Sequence, residues 1–339
     1  MKNLDEGMDK TTILVTGGLG FIGSNFINEL LEKFKTATVI NLDKVTYAAD
    51  SLNIKKNKRY VFKRASIINK EKINSVINEY KPELIINFAA ETHVDNAINN
   101  SEKFIETNVI GTRVLLDAAR RYNLRFHQVS TDEVFGQLDS QNQTGFDEKS
   151  SYNPRNPYSA SKAAADFLVK VYNVTYGMRS TISYCSNNYG PNQHVEKFIP
   201  KVILKATKNE KIPIYGNGAQ QRNWLFVNDH VEGLIKALSK EPNGDTYFFG
   251  GPTMTSNLTI ASKILDYMQK PKSLITFVPD RPGHDFSYKL NYTKTSQLLD
   301  WVPRTNLNEG LTLTINHYLT DRKRYFEKII KLRQMRIKW

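Results

Sequence analysis

One eight-residue stretch, Thr16-Gly17-Gly18-Leu19-Gly20-Phe21-Ile22-Gly23, constrains this chain more than any other. It follows an apolar β-type run, Thr12–Thr16, and opens a helical pattern, Phe21–Lys33. Three glycines spaced by three, Gly17, Gly20 and Gly23, allow a tight turn and a close backbone approach to a pyrophosphate at a helix N-terminus. Asp43 stands twenty residues beyond Gly23, at the end of a second β-type run. An acid there bonds the hydroxyls of an adenosine ribose and repels a 2′-phosphate, so the expected cofactor is NAD rather than NADP. Further alternation of short β-branched runs (Thr38–Leu42, Tyr60–Lys63, Leu84–Phe88, Arg125–Val129, Thr181–Tyr184) with helical ones (Lys70–Tyr80, Phe104–Tyr122, Tyr158–Tyr176) predicts an α/β fold with a doubly wound parallel sheet.

From Asn187-Asn188-Tyr189-Gly190-Pro191 onward the pattern breaks, and Pro, Gly and Asn become frequent. The expected organisation is a dinucleotide-binding domain over 1–186, a smaller lobe over 187–320 that returns strands to the main sheet or closes over its ligand edge, and a basic tail over 321–339. Much of the net charge of +13 sits in that tail, where Phe326, Ile329, Ile330 and Ile337 interleave with Arg324, Lys328, Lys331 and Arg333. The tail reads as a solvated or neighbour-packed amphipathic helix, and no zinc-finger, basic-zipper or RNA-binding signature accompanies it, which argues against nucleic acid as a partner. With 40% hydrophobic and 24% charged residues and no apolar run near the roughly 20 residues of a membrane span, no membrane partner is expected. The polar start, Met1 to Lys10, lacks the apolar core of a signal peptide, so a cytoplasmic location is expected. The single cysteine, Cys185, excludes an internal disulfide and reads as buried and inert.

Tyr158 and Lys162 lie four residues apart, on one helical face, behind the helix-starting Asn156-Pro157. A phenol titrates near 10 and is a poor base until cations favour its phenolate; the lysine and a positively charged nicotinamide are two such cations. Thr131 follows a β-type run and is placed to hold a sugar hydroxyl beside that tyrosine. Asp132 and Glu133 come next, as an acid and base pair for loss of water or as a capped turn.

These segments, in this order, resemble the nucleotide-sugar branch of the extended short-chain dehydrogenases, and within it the dTDP-glucose 4,6-dehydratase family. The similarity runs from about Thr11 to about Tyr318 through Asp43-Lys44-Val45-Thr46-Tyr47-Ala48, Ala89-Ala90-Glu91-Thr92-His93-Val94-Asp95, Ser130-Thr131-Asp132-Glu133-Val134, Asn187-Asn188-Tyr189-Gly190-Pro191 and Arg281-Pro282-Gly283-His284-Asp285. The resemblance implies a Rossmann-type extended short-chain fold, NAD recycled within each turnover, and a nucleotide-diphosphate glucose as substrate. It implies that Tyr158 takes the proton of the 4-hydroxyl, with Lys162 and Thr131 assisting. Glu133 would remove the C5 proton and Asp132 would protonate the departing 6-hydroxyl. By the same resemblance Phe21, Ile22, Lys44, Thr46, Ala48, Ile67, Ala89, Ala90, Thr107 and Asn188 join the glycines, Asp43, Tyr158 and Lys162 around the cofactor. Thr92, Thr131, Asn187, Lys197, Phe198, Pro213, Ile214, Tyr215, Arg222, Asn257, Arg281 and His284 line the nucleotide sugar, the basic residues suiting a diphosphate. A homodimer paired through Phe104–Tyr122 and Tyr158–Tyr176 is implied as well. His93 and His284 lack metal-ligand spacing, so no metal is expected.

Departures from the family pattern are Ser66 and Asn223, each in place of an aspartate, and Phe286-Ser287 where two arginines are frequent. Asn96 and Gly190-Pro191-Asn192-Gln193 are also similar to the UDP-glucose 4,6-dehydratase domain of rhamnose synthases, which leaves uracil or thymine open as the base. Two other readings stand beside the dehydratase: a sugar 4-epimerase or dehydrogenase, against which Asp132-Glu133 argues, and a non-catalytic NAD-sensing or nucleic-acid-interacting protein.

Overall fold

The computed structural model describes residues 8–139, 144–242, 244–280 and 285–335. Its centre is a seven-stranded, wholly parallel sheet in the order β11-β6-β5-β4-β1-β2-β3. The strands are β1 (Thr12–Thr16), β2 (Thr38–Asp43), β3 (Tyr60–Arg64), β4 (Leu84–Asn87), β5 (Arg125–Thr131), β6 (Ser180–Cys185) and, far along the chain, β11 (Thr246–Phe249). Near-continuous burial of β1, β2, β4 and β6 follows from helices covering both faces of the sheet. On one face lie α2 (Lys70–Tyr80), α5 (Thr112–Arg121) and α6 (Pro157–Tyr176), on the other α1 (Phe21–Lys33) and α8 (Val227–Leu238). Strand order reverses between β1 and β4, and a ligand crevice opens at such a reversal beyond the strands' carboxyl ends.

Expected and observed elements agree to within about two residues at most ends, the usual spread of helix and strand boundaries. The expected helix over Phe104–Tyr122 is interrupted. A short α4 (Glu102–Phe104) runs into a π-helical segment, Ile105–Gly111, before α5. Asn108 explains the wide turn: buried, it donates to the Glu91 carbonyl (3.1 Å) and to Ser161 Oγ (2.8 Å) and accepts from the Glu91 amide (2.9 Å). Glu91 precedes α3 (Val94–Asn99), a helix that the sequence reading did not anticipate. α6 begins as its sequence dictates, with Asn156 and Ser159 forming a reciprocal capping box ahead of Pro157, and ends on Gly177 at φ 62°.

The remaining elements are β7 (Asn188–Tyr189), α7 (Phe198–Thr207), β8 (Ile212–Tyr215), β9 (Gln221–Asn223), β10 (Leu225–Phe226), β12 (Met254–Ser256), α9 (Asn257–Tyr267), β13 (Ile275–Val278), α10 (Thr293–Leu299), α11 (Leu307–Thr320) and α12 (Arg322–Gln334). A separate apolar core joins α7, α9, α11 and α12. The segment after residue 187 thus supplies this lobe and also β11 and α8 of the main sheet layer.

The basic tail differs from its expectation. α12 turns Tyr325, Ile329 and Leu332 into the lobe core and leaves Ile330 54% exposed, so the inward stripe is shifted from the one read in sequence. Ile337 lies outside the described residues. No helix among the described residues is long and apolar enough to cross a membrane.

Candidate active site

One continuous pocket runs from the glycine turn along the carboxyl ends of β1, β2, β4, β5 and β6 to the first turns of the lobe. Gly17 takes φ 69°, and a Cβ there would stand 2.6 Å from the Ala89 backbone nitrogen after β4. Only glycine satisfies both demands. α1 starts on Gly20 with no side-chain cap, so its first-turn amides are turned to the pocket, the arrangement that receives an anion. Asp43 closes the far side: Oδ2 accepts from the Leu19 amide (3.1 Å) and Oδ1 from the Val45 amide (2.8 Å). Its burial raises the carboxyl's pKa, and those two amides work against the rise. Lys44 pairs with Glu91 at 3.1 Å, which takes up the charge that would otherwise favour a 2′-phosphate. Phe21, Ile22, Gly23, Thr46, Ala48, Ile67, Ala89, Ala90, Thr107 and Asn188 all line the same pocket, as does Ser66. A Gly-rich turn, an uncapped helix start and an acid at the end of β2 fit an adenine dinucleotide.

The other end of the pocket gathers Thr131, Asp132, Glu133, Tyr158 and Lys162. β5 ends at Thr131, and a 3₁₀ turn, Asp132–Phe135, places the two carboxyls beyond it. Thr131 Oγ1 donates to Asp132 Oδ1 (3.3 Å) and accepts from the Glu133 amide (3.3 Å). Asp132 is 1% exposed, and its Oδ2 has no hydrogen-bond partner in the protein. Burial first, and the Glu133 charge second, push its pKa up to about 8, so it holds a proton at neutral pH. Glu133 is partly exposed and receives the Asn156 amide group at 3.3 Å.

Tyr158 and Lys162 are buried on the first turns of α6. Lys162 Nζ donates to the Val129 carbonyl (2.8 Å), and burial lowers its pKa while Asp166 opposes that shift. The phenol behaves differently from the sequence expectation. Burial and then the charge of Glu133 hold Tyr158 well above 10, with the Thr131 hydroxyl opposing. The chain's own groups therefore keep this tyrosine protonated. Cys185, at the end of β6, is buried against the Ser130 carbonyl, and burial drives its thiol up to about 12, which makes it inert.

Among the residues assigned to the nucleotide sugar, Thr92, Asn187 and Lys197 line this pocket. Lys197 Nζ donates to the Thr92 carbonyl at 3.2 Å, and Asn187 Oδ1 is buried without a partner. Phe198 stacks on Trp224, and Ile214 is buried in the lobe core between Pro213 and Tyr215 on β8. Arg222, on β9, donates to the carbonyls of Gln221 (2.8 Å), Phe286 (3.1 Å) and Asp285 (3.0 Å) and lies over the Tyr288 ring. Its charge lowers the pKa of Asp132, which places it near the carboxyl pair. Asn257 opens α9. Arg281 and His284 lie outside the described residues.

Several lining residues were given no site role by the sequence. Gln193, His194 and Glu196 enter from the turn before α7, and Tyr47 donates to Glu196 Oε1 at 3.3 Å. Asp166 also escaped notice. It sits wholly buried under the site, accepts from Ser130 Oγ at 2.5 Å, and is pushed by burial up to about 6. Among the described residues no group of three His, Cys, Asp or Glu could hold a metal ion.

Comparison with known proteins bears on this geometry. The model of the family described as GDP-mannose 4,6 dehydratase matches residues 14–314. A dTDP-glucose 4,6-dehydratase of Neisseria gonorrhoeae is 42% identical, the match covering 93% of this chain and 97% of that one. Among solved structures, the dTDP-glucose 4,6-dehydratase DesIV of Streptomyces venezuelae, with NAD and TYD bound, superposes with a TM-score of 0.90 at 35% identity, over 94% of this chain and 100% of its own. The dTDP-glucose 4,6-dehydratase of Bacillus anthracis str. Ames in complex with NAD gives 0.87 at 37% identity, over 94% and 99%.

Proposed function

This chain belongs to the dTDP-glucose 4,6-dehydratase family, and from that premise we propose that it removes water from a nucleoside-diphosphate glucose to give the 4-keto-6-deoxy sugar. The observation that carries the reading is the Asp132–Glu133 pair on the same pocket wall as Tyr158, Lys162 and Thr131. A simple oxidoreductase has no use for an extra acid and base, and a dehydration needs both.

Gly17, Gly20, Gly23, Asp43 and the first-turn amides of α1 would hold NAD. Bound NAD supplies the oxidant and reductant for C4 and C6 and a positive ring that favours the phenolate. Tyr158 then receives the proton of the 4-hydroxyl, which Thr131 positions. Lys162, fixed by the Val129 carbonyl, stabilises the phenolate. Glu133, steadied by Asn156, takes the proton from C5 once the 4-position is a ketone. Asp132, the one of the two whose burial keeps it protonated, gives its proton to the departing 6-oxygen. The partnerless buried oxygens of Asn187 and Asp132 support an occupant rich in hydroxyls.

For the base we propose thymine, since the curated relatives named above are dTDP-glucose enzymes. Arg222, Phe198, Pro213, Ile214, Tyr215, Asn257, Arg281 and His284 would form the nucleotide end of the site, closed by the lobe. We place the enzyme in the cytoplasm as a homodimer. The support for pairing is the outer face of α6, where Phe167, Val171 and Val174 are 54%, 52% and 85% exposed, and the exposed Ile105 and Ile110 of the π-helical segment that packs on α6. Patches of that kind are commonly covered.

Incubating the purified protein separately with dTDP-glucose and UDP-glucose tests the reading. Mass spectrometry should show loss of one water from the sugar, faster with dTDP-glucose. Conversion to a galactose nucleotide, or no reaction with either, would overturn it.

A further inference from the structure

The basic C-terminal helix lies beyond the residues that the family model matches, and the chemistry above gives it no role. Two of its charges, Arg324 and Lys328, are nonetheless largely withdrawn from solvent. Arg324 reaches Asp50 with Nε (3.0 Å) and Nη2 (2.6 Å), and Lys328 Nζ reaches the same Oδ2 at 2.5 Å. The three side chains are only 14%, 11% and 19% exposed (Arg324, Asp50, Lys328). Arg324 also donates to Asn53 Oδ1. Asp50 and Asn53 in turn hold the glycine turn: the Asp50 amide and Asn53 Nδ2 both donate to the Leu19 carbonyl, at 3.0 and 3.4 Å. Asp50 ends the loop whose Thr46, Ala48 and Ala49 line the cofactor wall.

The same helical hairpin grips a second loop of the pocket. His317, on α11, accepts from the Asn192 amide (3.3 Å) and bonds the Tyr325 hydroxyl (2.6 Å), while Tyr318 donates to the Gln193 carbonyl. Gln193 lines the pocket and donates to the Asn188 carbonyl at 2.8 Å. α11 and α12 therefore both brace two loops that are separated by about 140 residues of sequence, line one pocket and meet through Tyr47 and Glu196.

We propose that α12 is a strap for the dinucleotide, with Arg324 and Lys328 acting through Asp50 as positioning residues that pre-order the 44–53 loop and so set how firmly NAD is retained. The inference rests on the NAD reading above. A loop held in its binding conformation before the cofactor arrives spares the cost of ordering it, and releasing it weakens apparent affinity by the fraction of molecules still competent.

The test compares wild type with Arg324→Ala/Lys328→Ala by equilibrium dialysis of NAD. The double variant should hold NAD about tenfold more weakly. Its kcat at saturating NAD should be unchanged, because these residues touch neither substrate nor reacting atoms. A folded double variant with NAD affinity within about twofold of wild type would overturn the strap. Asp50→Asn keeps the side-chain volume and serves if the double variant does not fold. Severalfold weaker retention then supports the proposal, and unchanged retention refutes it. If wild type itself binds no NAD, the cofactor reading fails and the strap falls with it, an outcome distinct from a wild type that binds NAD and variants that bind it equally well.

Discussion

Asp132 owes its proton to burial, and that has a price in stability. Folded, its carboxyl titrates near 8, against an ordinary value of 3.8. The folded state therefore binds a proton more tightly than the unfolded one. The stability this contributes is complete below about pH 4 and drains away as pH rises toward 8. Asp132→Asn, which cannot ionise, should raise the melting temperature relative to wild type, with the gain larger near about pH 9 than near about pH 5. Scanning calorimetry at the two pH values checks it, and a gain independent of pH would show that Asp132 is not the buried acid described here. The same variant should have lost turnover. At this scale the sequence was informative where chemistry is local: Thr131, Asp132 and Glu133 are adjacent, and Tyr158 and Lys162 share one helical face. It was silent on Glu196 and Asp166, whose partners, Tyr47 and Ser130, are long-range neighbours with no periodic signature. The phenol's upward shift was hidden for the same reason, since it comes from burial and from carboxylates brought in by another element.

Helices place these groups, and helix starts are where they are vulnerable. Asn156 caps α6 and also donates to Glu133, so Asn156→Ala should cost about 1 kcal/mol of stability and lower kcat more than that loss explains, as chemical denaturation and steady-state rates would show. At the start of α1, Gly17→Ala introduces a Cβ into a 2.6 Å gap at a positive φ. It should destabilise the fold by about 2 kcal/mol or more and abolish NAD retention, read by denaturant melts and dialysis. Element positions were legible because the chain alternates β-branched runs with 3.6-period ones. The π-helical segment was not, because Ile105–Gly111 keeps a helical pattern and only the burial of Asn108 widens the turn. Nor was the inward face of α12: Tyr325 and Leu332 face a core built from distant helices, a choice that charge and spacing within the tail do not reveal.

Across the whole molecule, two further buried groups act in the opposite sense to Asp132. His127 lies between Thr181 and Ser183, and His230 bonds Asn188. Burial depresses both to about 3 from an ordinary 6.5. The unfolded chain takes up protons at these rings first, so the stability they contribute is lost as pH drops from about 6.5 toward 3. His127→Gln should flatten that limb of the stability–pH curve; an unaltered limb would contradict the assignment. The proposed homodimer has its own probe. If it pairs through the exposed face of α6, Val171→Glu should leave a monomer in analytical ultracentrifugation where wild type gives a dimer; a wild-type monomer would remove the pairing, and a variant dimer would move the interface elsewhere. Six strands of the parallel sheet follow from the glycine turn and the alternating pattern, whereas the return of β11 to its edge depends on pairing with β6, across a long stretch of lobe. The central claim, that a carboxyl pair beside Tyr158 carries out an elimination, is tested most directly by Glu133→Gln incubated with dTDP-glucose under mass spectrometry. The variant should remove no water from the sugar while it stays folded and retains NAD; water loss at the wild-type rate would rule out an elimination by this pair.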